Sequence, residues 1–144
     1  MKIKLSDEDF RMIQNEMLPI EFWEFQLGVG YVYYGVSKNV KYSAPYPEYG
    51  EKLWRRAQSN LHDIFCDKLE PKESIKELLD GDIRTIADGI LSIIIATYEV
   101  TLAIGVPLTA IVMKKGIYKF CSTKAKSKKK MNLKEVIENK SLKK

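Results

Sequence analysis

Apolar residues recur at helical spacing from Ile83 and then merge into the longest apolar stretch of the chain. Ile83, Ile86, Ala87, Ile90, Leu91 and Ile94 fall at i, i+3, i+4, i+7, i+8 and i+11, one face of an α-helix. Arg84, Asp88 and Ser92 occupy another face, as an aqueous boundary requires. Asp82 is placed as N-cap, its carboxylate accepting from free first-turn N–H groups. Ile93 and Ile95 widen the apolar arc, which predicts a central element.

The continuation allows two readings. Ile90 to Met113 is 24 residues with one ionisable side chain, Glu99. At ~1.5 Å rise per residue a single helix would reach ~36 Å, enough for a ~30 Å hydrocarbon core. Lys114, Lys115 and the basic tail would then face the cytoplasm. Against a span, an acidic group near mid-bilayer costs ~2–3 kcal/mol, and Pro107 removes a helix N–H. The preferred reading is a helical hairpin, with Tyr98-Glu99-Val100-Thr101 as the turn and a second buried helix ending near Lys115.

The same patterning places the earlier elements. Ser6 caps a helix over Asp7 to Met17, with three acidic residues in its first turn and Phe10, Ile13 and Met17 facing inward. Between Ile20 and Tyr46 aromatics concentrate, and Gly28, Gly30 and Gly35 are expected to interrupt any helix. Tyr31–Val36 and Val40–Tyr42 read as a β-hairpin. The patch from Phe22 to Tyr46 is read as core packing in preference to a binding surface. Ser43–Tyr49, with two prolines, reads as an extended connection. Leu53, Trp54, Ala57, Leu61, Ile64 and Phe65 form a helical stripe that Pro71 closes off. Ser74 with Glu77 makes a capping box for a short helix ending at Asp80-Gly81.

Charge divides the chain. Residues 122–144 carry nine Lys against two Glu, a net of +7, while the preceding 121 residues sum to −2. The expected organisation is one globular domain over 1–121, a Lys-rich flexible linker over 122–131, and a short C-terminal helix within 132–144 capped by Asn132 with Glu135. The fold class is mainly α, a compact domain of four to five helices with a small β-hairpin near the N-terminus. The opening MKIKLSDEDF lacks an apolar signal region, and two cysteines make no disulfide scaffold, so reduced thiols in the cytoplasm are expected.

Candidate chemistry is sparse. Gly28-Val29-Gly30 has Tyr33 where a dinucleotide turn needs its third glycine. No phosphate-loop, zincin or C-x-x-C pattern occurs. His62 and Cys66 are spaced i, i+4, and with Cys121 they are the candidate soft metal ligands or a Cys–His nucleophile pair. Buried, structural roles are the simpler expectation for all three. Asp80 and Asp82 flank a helix junction as caps, and Asp88 and Glu99 would act as acid–base groups only across a cleft.

Lys124, Lys126, Lys128, Lys129 and Lys130 can contact an anionic membrane surface or phosphates, but no Arg fork or interleaved aromatic supports sequence-specific nucleic-acid recognition. The chain therefore reads as a non-enzymatic interaction module or accessory subunit, without cofactor or small-molecule substrate. Its partner is a protein or a second copy, met through the C-terminal helix and the apolar excess at Ile93, Ile95, Leu102 and Val106. The alternatives are a membrane-associated anchor or pore-forming element inserting Ile90–Met113, and weak non-specific nucleic-acid binding through the tail.

Overall fold

The computed structural model describes residues 3–30 and 46–122, which form seven helices and one two-stranded sheet. In order these are α1 (Asp7–Gln14), α2 (Ile20–Gly30), α3 (Tyr46–Phe65), β1 (Cys66–Asp67), β2 (Glu70–Pro71), α4 (Glu73–Leu79), α5 (Ile83–Tyr98), α6 (Leu102–Lys115) and α7 (Ile117–Ser122). The expected mainly helical class is observed, with more helices than anticipated. The only sheet among the described residues lies mid-chain, antiparallel with Cys66 opposite Pro71 and Asp67 opposite Glu70. The hairpin expected over Tyr31–Tyr42 and the tail with its final helix lie outside the described residues.

The long apolar stretch is two helices. α5 ends at Tyr98, Glu99 takes a left-handed conformation (φ 55°), and α6 restarts after Thr101. No described helix is long and apolar enough to cross a membrane, so the single span considered over Ile90–Met113 does not form. The physical reason for the apolar excess is the position of α6. Every residue from Ile104 to Val112 is buried, and a helix apolar all round needs covering on every side. α2, α5, α7 and α1 supply that cover.

Glycines set how closely the helices approach. A Cβ at Gly105 would sit 3.0 Å from Ile95 Cγ1 and 3.1 Å from Leu91 Cδ1, so the α5–α6 seam closes on that residue. Gly50 of α3 meets the Glu24 carbonyl of α2, again with no room for a Cβ. The expectation that Gly28 and Gly30 break the helix is corrected, since both lie inside α2. At Gly30 the lack of a side chain lets α2 come against the Ala103 carbonyl of α6, a contact that offsets its low helix propensity of about 1 kcal/mol.

Capping follows the sequence in two places and departs from it in one. Ser6 Oγ accepts from Asp9 N at 3.0 Å, and Asp82 Oδ1 accepts from Thr85 N at 2.8 Å. Hydrogen bonding to the Thr85 amide holds the Asp82 carboxyl below the usual aspartate range. The Ser74–Glu77 capping box does not form, because α4 starts two residues earlier than that box requires, with Lys72 at its N-cap. α1 also stops at Gln14, which leaves Met17 86% exposed rather than facing inward. α3 begins at Tyr46, so its first turns take up part of the segment expected to be extended.

Cys66 and Cys121 are bonded to each other, with an S–S distance of 2.05 Å. This corrects the expectation of reduced thiols. The stripe of α3 delivers Cys66 just past its end, and α7 delivers Cys121 against it, so a pair 55 residues apart in sequence meets at a Cα–Cα distance of 5.5 Å. Closing a loop of that length removes unfolded-state entropy equivalent to about 4 kcal/mol on the chain-entropy account.

Candidate interaction groove

α1, α2 and α6 enclose a partly open cavity of about 330 Å³. Trp23 and Gln26 come from α2, Asp9 and Met12 from α1, and Leu102, Ala103, Val106 and Pro107 from the first turns of α6. The elements that build it are fixed locally. Pro19 precedes α2 and its carbonyl accepts from Phe22 N at 3.0 Å, so Phe22 and Trp23 enter in the first turn. Their rings meet edge to face, with centroids 5.0 Å apart and an interplanar angle of 84°. On the other wall, Leu102, Val106 and Pro107 share a face because 102 and 106 are one turn apart. Lys114 Nζ donates to the Asn15 carbonyl at 3.2 Å and ties the far end of α1 to α6.

Trp23 is 2% exposed, yet its indole Nε1 has no acceptor among the described residues. Thr101 Oγ1, beside the α6 wall, is likewise buried and unpartnered, and the Thr101 side chain does not cap α6. A buried donor without a partner carries a desolvation penalty of about 1–3 kcal/mol. The groove thus has a mainly apolar lining, and one of its lining residues, Trp23, carries a buried donor that the described residues do not use. Asp9 and Gln26 add polarity to the lining. Its dimensions and lining suit an apolar side chain.

The four residues expected to form an interface separate into two pairs. Leu102, 50% exposed, and Val106, buried, both line the groove. Ile93 and Ile95 are half-buried on α5 and pack against the core, Ile95 in the seam with Gly105. Trp23 was the residue missed. Its place in an aromatic-rich segment was the available signal, but sequence alone does not show that its N–H lacks an acceptor.

The His62–Cys66–Cys121 grouping does assemble, but not as a site for metal or nucleophilic chemistry. Both sulfurs are consumed by the disulfide, so neither offers a thiolate. His62 Nε2 lies 3.1 Å from the Cys121 carbonyl, which makes it a donor there, and its ring rests 5.8 Å from Phe120. Among the described residues no group of three or more His, Cys, Asp or Glu could hold a metal ion. Asp88 accepts from the Leu5 amide and Glu99 terminates α5, so they face no shared cleft. Gly28-Val29-Gly30 ends a helix rather than following a strand. Lys124, Lys126, Lys128, Lys129 and Lys130 lie outside the described residues. No family model matches the chain, and no curated protein or solved structure does either.

Proposed function

We propose that the chain is a non-enzymatic interaction module that takes an apolar side chain of a protein partner into the α1–α2–α6 groove. The observation that carries this reading is the partly open cavity lined by Trp23, Met12, Leu102, Val106 and Pro107, one of whose lining residues, Trp23, holds a buried indole N–H without a partner among the described residues. Buried aromatic anchors with an open polar handle suit recognition, where the partner supplies the missing acceptor. A second copy of the chain is the alternative occupant. The Cys66–Cys121 disulfide supports a setting in which thiols are oxidised, in place of the reducing cytoplasm expected from composition.

Two residues allow a matched test. Leu102 and Ile83 each open a helix, and they are 50% and 49% exposed. Glu is well tolerated in a first turn, so Leu102→Glu and Ile83→Glu should be similarly benign to folding. Peptides selected from a displayed library on the full chain are expected to share an apolar anchor. They should lose at least about tenfold in affinity on Leu102→Glu and keep it on Ile83→Glu, since one central contact is worth ~1–2 kcal/mol or more. Equal responses to the two variants would refute the groove as the binding site.

A further inference from the structure

The polar face of α5 does more than meet water. Ser92 Oγ accepts from the Ile3 amide at 3.0 Å and donates to the Ile3 carbonyl at 2.9 Å. Asp88 Oδ1 accepts from the Leu5 amide at 2.9 Å, and Arg84 Nη2 donates to the Leu5 carbonyl at 2.6 Å. Arg84 Nη1 then reaches Asp7 Oδ1 at 3.1 Å, and its guanidinium lies 4.7 Å from the centroid of the Phe10 ring. Residue 3 is thus read at 92, residue 5 at 88 and 84, and residue 7 at 84, so the segment runs antiparallel to α5.

This register has a geometric cause. Four helical residues advance ~6.0 Å, and two residues of extended chain advance ~6.6 Å. A helix with polar side chains at i, i+4 and i+8 therefore keeps step with alternate residues of an extended segment. In such a segment, alternate residues present both N–H and C=O to the same edge. That is what Ile3 and Leu5 do. The contacts to Ile3 and Leu5 are to main chain, so they do not depend on which side chains those two positions carry. Side-chain selection comes from the pocket that buries Leu5, the half-buried position of Ile3, and the Arg84 contact to Asp7.

We infer that this face of α5 is a docking groove for a peptide of pattern apolar–x–apolar–x–acidic, extended up to a helix that the acidic residue opens, and that residues 3–7 of the chain are its intramolecular occupant. The partner is a protein segment of that pattern. The seated occupant itself shows the chemistry the site accepts. Recognition of this kind resembles strand addition, with a row of helix side chains in place of a sheet edge. The site is separate from the α1–α2–α6 groove and does not depend on the proposal made for it.

A peptide of residues 1–9, MKIKLSDED, labelled at its C-terminus, tests the inference by fluorescence polarisation against full-length protein. Leu5→Asp drives the tethered segment out by placing a carboxylate where Leu5 is buried. The peptide is expected to bind Leu5→Asp protein at least about tenfold more tightly than wild type, whose own segment competes at high effective concentration. Adding Ser92→Ala to Leu5→Asp should weaken binding severalfold. Should Leu5→Asp lose helicity by circular dichroism, Ile3→Pro removes the amide that Ser92 reads without burying a charge, and carries the same expectation. Absence of saturable binding to a variant of wild-type helicity would overturn the inference. So would binding indifferent to Ser92→Ala, or a wild-type dimer by light scattering whose mass halves on Leu5→Asp, which would assign the groove to a second copy.

Discussion

The carbonyl oxygen of Ala103 occupies the space that a Cβ on Gly30 would fill. Pro107, four residues further along α6, has no N–H to give that carbonyl its usual helical partner. The proline frees the oxygen, and the glycine lets α2 come against it. Gly30→Ala therefore introduces a methyl group into backbone that cannot swing aside. Its helix-propensity gain of about 1 kcal/mol is outweighed, and a net loss of about 1–3 kcal/mol is expected in urea denaturation. Gly116→Ala, with nothing near its Cβ, meets only the strain of φ 83° and should lose about 1 kcal/mol.

The disulfide makes a separate prediction. Cys66 and Cys121 are joined to each other, so the protein should show no free thiol either native or unfolded, and two thiols only after reduction. Cys66→Ser with Cys121→Ser should lower stability by about 2–4 kcal/mol. Thiol titration in denaturant with and without prior reduction, followed by chemical denaturation of the double variant, checks both statements.

Glu24 gives a pH dependence of defined sign. Burial, then the nearby Glu51 and Glu21 carboxylates, raise its pKa above the ordinary glutamate value, while Lys115 and Arg55 oppose the shift. The folded chain consequently holds a proton that the unfolded chain has already released. Stability from this group is present at low pH and declines as pH rises through the interval between the unfolded and folded pKa values. Glu24→Gln should remove that decline and gain less than about 1 kcal/mol at neutral pH, since the site is only partly buried. Thermal unfolding of both proteins from acid to neutral pH reads the difference.

Tyr98 closes α5 with a buried hydroxyl that lacks a partner among the described residues. Burial, with Asp63 adding, pushes the phenol well above its ordinary range, so it stays neutral. Tyr98→Phe removes an unsatisfied group while keeping the ring. The expected change lies between zero and a gain of about 1 kcal/mol, measurable by equilibrium denaturation.

Local signals in the chain were legible and long-range ones were not. The α5 face buries Ala87, Ile90, Leu91 and Ile94, and the α3 stripe buries Leu53, Trp54, Ala57, Leu61 and Phe65. Both arise from spacing that one helix imposes. The caps at Ser6 and Asp82 and the turn before Thr101 were readable for the same reason. Gly28 and Gly30 misled because their role depends on another helix coming close. Arg84, Asp88 and Ser92 looked like an aqueous boundary, and only the approach of residues 3–7, some 80 positions away, gives them their task. The disulfide and the Trp23 cavity share that dependence on where distant segments meet. Val106 and Leu102 were singled out for apolarity, and the cavity gives that choice a location.

The two tryptophans separate the groove from the rest of the core. Trp23 lines the α1–α2–α6 cavity, whereas Trp54 packs 6.1 Å from Phe120 near the disulfide. A ¹⁵N–¹H spectrum of the full chain therefore carries one indole N–H signal at the groove and one remote from it. Titration with a peptide selected on the protein should move the Trp23 indole signal downfield, as its N–H gains an acceptor, and leave that of Trp54 in place. A stationary Trp23 signal at saturating peptide would contradict the groove as the site of interaction.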